Sequence, residues 1–254
     1  MMSERIADLV SREYFFVNDV ELKPGSDLAH QIWLLTINDR LGIAPPCDKG
    51  SIVGRVLDIG TGSGIWAIDF GDEHPEAEVL GNDLSVVQPS LVPPNVRFEI
   101  DDVEDEWTHS QPFQHLEPGG YLELQETSII PRSDDDTLKP QHAVLKWSNL
   151  LLEASLKLGR PYMDVPVLKQ YMTEAGFEDV TMHVYKWPSN DWPKDPRYKE
   201  LGMWNQEQTL MGLEAFSMAP LTRALDWTPA EVNTFLIDVR KDLKDRAIHA
   251  YWPE

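Results

Sequence analysis

The run Val56-Leu57-Asp58-Ile59-Gly60-Thr61-Gly62-Ser63-Gly64 constrains this chain more than any other segment. Ahead of the glycines, Ile52 to Leu57 is a short β-branched stretch; behind them, Ile65 to Phe70 has helical character. Glycines at alternate positions let a strand turn sharply into a helix and let a ligand approach bare backbone. Glu78 to Asp83 predicts a second strand ending in an acid, and Asn95 to Ile100 a third that runs into Asp101-Asp102. Strands alternating with helices at this pitch predict an α/β fold, a parallel sheet with helices on both faces.

The turn has three rival readings: a dinucleotide loop, an S-adenosylmethionine loop, and a structural turn without a ligand. The dinucleotide fingerprint needs Gly-x-Gly-x-x-Gly, and here the spacing is Gly-x-Gly-x-Gly with Ile at position 65. Asp58 also stands two residues before the first glycine. A carboxylate there would repel a pyrophosphate, whereas it suits the ammonium and sulfonium of S-adenosylmethionine. Asp83 lies 19 residues beyond Gly64, placed to take two ribose hydroxyls, which favours a bound cofactor over a bare turn. No Gly-x-x-x-x-Gly-Lys-Ser/Thr loop for ATP occurs.

Around this core the phrases VLDIGTGSGIWAIDF, GNDLSVVQP, VRFEIDDVEDEW and HLEPGGYLELQE follow in order. Together they resemble the successive motifs of class I S-adenosylmethionine-dependent methyltransferases. DLSVVQP, DVEDEW and the closing WTPAEVNTFLIDVRKDLKDRAIHAYWP are similar to the LaeA-like fungal secondary-metabolism group, so the resemblance runs from about residue 25 to the end. It implies a Rossmann-like class I methyltransferase sheet. It also implies cofactor contacts at Asp58, Gly60, Thr61, Gly62 and Gly64, at Asp83 with Leu84 beside the adenosine, and at Asp102 with Val103. The implied setting is a fungal biosynthetic pathway, with a small-molecule secondary metabolite as acceptor. Because the LaeA-like group includes regulators, a catalytically impaired regulatory or scaffolding partner of secondary metabolism is the alternative.

Two departures from the family pattern affect the sheet. Between Asp102 and Tyr121 lie 18 residues, 103–120, enough for one parallel crossover but not for a strand and two crossovers. The pattern also continues past a Tyr-Trp-Pro phrase into a final strand, whereas this sequence stops at Glu254. The expected sheet is therefore incomplete, lacking its fourth and final strands. Tyr121–Glu126 is predicted to pair directly and in parallel with Ile52–Asp58, across a crossover holding a short helix around Gln111–Leu116.

The rest of the chain predicts helices over 3–20, 26–41, 141–158, 164–175 and 197–225 and a strand over Phe177–Trp187. The apolar side of 141–158 is expected at Val144, Leu145, Leu151, Leu152 and Leu156. A capping box, Thr228 with Glu231, opens a last helix whose buried stripe is Val232, Phe235, Leu236, Val239 and Leu243. A single domain over 1–254 is expected: N-terminal helices to 50, a cofactor-binding core over 51–130, and acceptor or lid helices with the C-terminal part over 131–254.

The formal net charge of −21 disfavours contact with nucleic acid. No apolar run is long enough to span a membrane, and no secretory signal opens the chain, so a cytoplasmic or nuclear location is expected. Cys47, the one cysteine, has no partner for a disulfide and nothing beside it to activate it. The seven histidines lack paired metal-ligand spacing, so no metal is expected. A small-molecule acceptor and a protein are the expected partners. No catalytic base is required, because the sulfonium is already activated; His249 and Tyr251 are weak candidates. Trp187, Trp192 and Trp204 could wall an aromatic acceptor pocket, with core or lid packing the commoner use.

Overall fold

The computed structural model describes residues 23–85, 87–100, 116–162 and 165–254. The predicted helix over 3–20, the Asp101-Asp102 pair and most of the 103–120 crossover lie outside them. The chain divides into two compact units. Among the described residues, the first comprises 29–85, 87–100, 116–124 and 169–180, and the second 23–28, 125–162, 165–168 and 181–254.

The first unit takes in α1 (Lys23–Thr36) from Ala29 onward, followed by β1 (Arg55–Ile59), α2 (Ile65–Glu73), β2 (Glu78–Asp83) and β3 (Val96–Ile100). The strands form a parallel sheet in the order β1-β2-β3, each flanking strand reaching the other only through β2. Val56 pairs with Val79 and Val79 with Val96, so three valines share one face of the sheet. That face packs with Ala67 and Phe70 of α2. The approach is close: a Cβ on Gly71 of α2 would sit 2.3 Å from Cγ2 of Val96, so only glycine fits. Asn95, just before β3, donates its amide to the carbonyls of Gly71, His74 and Ala77 at 3.1, 3.1 and 3.0 Å, fastening the end of α2 to the sheet.

Two expectations about the sheet are corrected. Tyr121–Glu126 forms no strand, and among the described residues β1 pairs with β2 alone. The carboxylate of Glu123 instead accepts the backbone amides of Ile43 (2.9 and 3.1 Å) and Ala44 (2.8 Å), just ahead of the 3-10 turn Pro45–Cys47. Charge-assisted bonds of this kind are about twice as strong as ladder bonds, and they hold the segment by a side chain. The chain entering it turns at Gly119, where φ is +86°, and Gly120 donates back to Glu117. The small parallel sheet flanked by helices is thus a Rossmann-like α/β fold with an incomplete sheet. The second correction concerns Phe177–Trp187, of which only the end becomes β4 (Lys186–Pro188).

In the second unit, α3 (Ala143–Lys157), α5 (Pro196–Ala224) and α6 (Pro229–Lys244) build a helical core, and β5 (Tyr251–Pro253) follows α6; α4 (Val165–Ala175) is divided between the units after Leu168. β4 and β5 pair antiparallel, and the pairing continues in reciprocal bonds between Tyr185 and Glu254. The α3 stripe is Val144, Trp147, Leu151 and Ala154, whereas Leu156 stands 60% exposed on the other side. Trp147 is not among the apolar positions that the periodicity picks out. Its indole N–H donates to Ser217 Oγ at 2.8 Å, so its bulk can be buried with its polar edge satisfied. α6 buries Val232, Leu236, Val239 and Leu243, with Phe235 half-buried at the cluster's margin.

Candidate functional site

The glycine turn joins β1 to α2 at the carboxyl end of the sheet. Gly60, Gly62 and Gly64 have φ of +72, +55 and +82°, a region that side chains with a Cβ rarely enter. The amides of Gly60 and Thr61 both donate to the carbonyl of Asn82 at 2.9 Å, which pins the turn to the end of β2. The ring of Phe98 on β3 lies beneath it: a Cβ on Gly64 would stand 2.4 Å from Cζ of that ring.

Two carboxylates reach this turn from neighbouring strands. Asp58 of β1 accepts from the Thr61 hydroxyl at 2.6 Å. Asp83 of β2, buried, accepts the Gly62 amide on Oδ2 at 2.9 Å and both the amide and hydroxyl of Ser85 on Oδ1 at 2.9 Å. Gln88 donates its side-chain amide to the carbonyls of Gly62 (2.7 Å) and Ser85 (3.0 Å). Burial pushes the Asp58 carboxyl up to about 6, helped by the charge of Asp83 and opposed by the Thr61 hydroxyl and the more distant His30. Oδ2 of Asp83 keeps a free lone pair, and the Ser63 hydroxyl is buried in the turn without a partner. Paired acids short of positive charge, bare glycine backbone and an unmet hydroxyl suit a ligand that is cationic at one end and bears hydroxyls at the other.

Asp58, Gly60, Thr61, Gly62, Gly64 and Asp83 therefore sit together, with Leu84 next to Asp83; Asp102 and Val103 lie outside the described residues. Sequence reading assigned no role to Ser63, Ser85, Gln88 or Phe98. All four stand inside phrases that carry the resemblance, but nothing in the one-dimensional pattern says what a Gln five residues after the acid will touch.

The two proposed bases belong to the second unit. His249 Nδ1 meets Asp135 Oδ2 at 2.5 Å, and its ring stacks on Trp192 at 4.7 Å. The Tyr251 hydroxyl donates to Asp134 at 2.8 Å, and Lys186 pairs with the same carboxylate. His249, with the hydroxyls of Ser133 and Thr137, holds Asp135 well below the usual carboxylate range, and Lys186, then Tyr251, lowers Asp134. Of the three tryptophans, Trp187 is buried, Trp192 donates its indole N–H to the Ala250 carbonyl, and Trp204 is 47% exposed on α5. Burial, followed by the charge of Glu123, pushes the Cys47 thiol up to about 12, which makes it a poor nucleophile.

Known proteins are similar to this sequence along most of the chain. Methyltransferase pytC of Aspergillus terreus is 39% identical over 261 residues, spanning 93% of this chain and 80% of that protein. Secondary metabolism regulator LAE1 of Cochliobolus heterostrophus is 36% identical across 94% of this chain and 86% of its own length. The chain belongs to the LaeA-like methyltransferase family. A third member, the probable methyltransferase tdiE of Emericella nidulans, is 34% identical over 89% of this chain and 77% of its own. No family profile matches the chain, and no solved structure does.

Proposed function

We propose that this LaeA-like chain binds S-adenosylmethionine at the carboxyl ends of β1 and β2 and transfers its methyl group to a small-molecule secondary metabolite. One observation carries the reading: acids from two adjacent strands grip the same glycine turn, Asp58 through Thr61 and Asp83 through Gly62. Asp83 would accept ribose hydroxyls, Asp58 would face the amine and sulfonium, and Gly62 and Gly64 would leave room along the backbone. Leu84, and by family resemblance Asp102 and Val103, would flank the adenosine. When bound, the cofactor supplies a methyl group already activated on a sulfonium. The protein's contribution is then alignment and exclusion of water, worth far more here than proton transfer. If the acceptor needs a base, His249 and Tyr251 would have to exchange their bonds to Asp135 and Asp134 to serve. No described helix is long and apolar enough to cross a membrane.

A second reading has its own observation. Tyr121–Glu126, next to the place where the family builds the wall around the methyl and the acceptor, is not part of the sheet. This favours a methyltransferase-like regulator that keeps the cofactor site, engages a protein partner and has lost turnover. Methyl transfer from labelled S-adenosylmethionine into extracts of the producing fungus separates the two. Labelled product supports the enzyme, whereas cofactor binding with no product supports the regulator.

A further inference from the structure

Gly62 and Ser85 are held in the same way from both sides. Asp83 accepts the amide N–H of each, at 2.9 Å in both cases, and Gln88 donates to the carbonyl oxygen of each, at 2.7 and 3.0 Å. Two side chains thus bind the whole polar backbone of one residue in the glycine turn and one in the loop after β2. The orientation of the Gln88 amide follows from chemistry, because both neighbours are carbonyl oxygens that can only accept, so the NH2 group must face them. Both of its hydrogens are then used.

We infer that Gln88 is a positioning residue, the counterpart of Asp83, which fixes the separation of the glycine turn and the β2 loop before the cofactor arrives. This inference rests on the cofactor site proposed above. Asp83 holds only the amide side of each residue, and it also faces the ligand with the free lone pair on Oδ2. With Gln88 donating to the carbonyls, Gly62 and Ser85 stay in place when Asp83 exchanges a bond. A site held ready in this way avoids the entropy of ordering two loops at the moment of binding.

Gln88→Met keeps the size of the side chain and removes both donors. Titration of S-adenosylhomocysteine into this variant should show affinity lower on the order of tenfold, for two lost hydrogen bonds that ordered the site. Its melting temperature should fall by no more than a few degrees, and, without ligand, the amides of Gly62 and Ser85 should lose protection from hydrogen exchange. Should Gln88→Met fail to fold, Gln88→Leu likewise removes both donors without adding charge and should show the same losses. Unchanged affinity and unchanged protection in the variant, while Asp83→Ala still weakens binding, would overturn the role of Gln88 and leave the cofactor site standing. If neither Asp83→Ala nor Gln88→Met alters affinity, the site itself is misplaced and the inference falls with it.

Discussion

Asp58 sets a pH dependence for the site. Its carboxyl is raised to about 6 in the folded chain, against an ordinary value near 3.9 in an unfolded one. Between about pH 4 and pH 6 the folded state therefore binds more protons than the unfolded state, so this residue's contribution to stability is greatest below pH 4 and is lost as pH rises through 6. A cationic ligand has the opposite preference, because it needs Asp58 ionised. S-adenosylmethionine should therefore bind more tightly at pH 7.5 than at pH 5, and Asp58→Asn should flatten that profile; calorimetry at the two pH values measures it. At φ +82°, with Phe98 Cζ 2.4 Å from the site of a Cβ, Gly64→Ala should destabilise the chain by at least about 1–2 kcal/mol and lower its melting temperature.

At the scale of elements, α6 shows how far local chemistry reaches. The Thr228 hydroxyl accepts the Glu231 amide at 3.3 Å while the Glu231 carboxylate accepts the Thr228 amide at 2.8 Å, the reciprocal box that the spacing foretells. Thr228→Ala should cost about 1 kcal/mol, and Leu236→Ala, from the buried stripe, about 2–5 kcal/mol; denaturant melts compare the two. The turn at Gly60–Gly64 was legible for the same reason, since every constraint on it lies within a few residues. Tyr121–Glu126 was not. Its alternation only makes a strand available, and whether one forms depends on residues about 80 positions away, where the amides of Ile43 and Ala44 offered Glu123 a better partner. Phe177–Trp187 has the same history: Val184 is 63% exposed, and only three residues of β5 come to meet its end. Leu156 and Trp147 exchanged places on α3 because the apolar positions tolerate two helical phases, and packing against α5 and α6 chooses one.

At the scale of the whole molecule, the acidic balance and the site point the same way. A net charge of −21 raises the local concentration of cations and opposes polyanions, so no salt-sensitive complex with duplex DNA should form at physiological ionic strength; a micromolar one in a filter-binding assay would contradict this. The family, the fold class and the residues of the glycine turn could all be read from the chain, because they are written in contiguous phrases. The central claim, that Asp58, Gly60–Gly64 and Asp83 form one cofactor site, is tested most directly by titrating S-adenosylmethionine into the parent chain and into Asp83→Ala. Hydrogen bonds from ribose to a buried carboxylate predict a loss of about 1.5–3 kcal/mol, roughly ten- to a hundredfold in affinity. Equal affinity in the two proteins would contradict it.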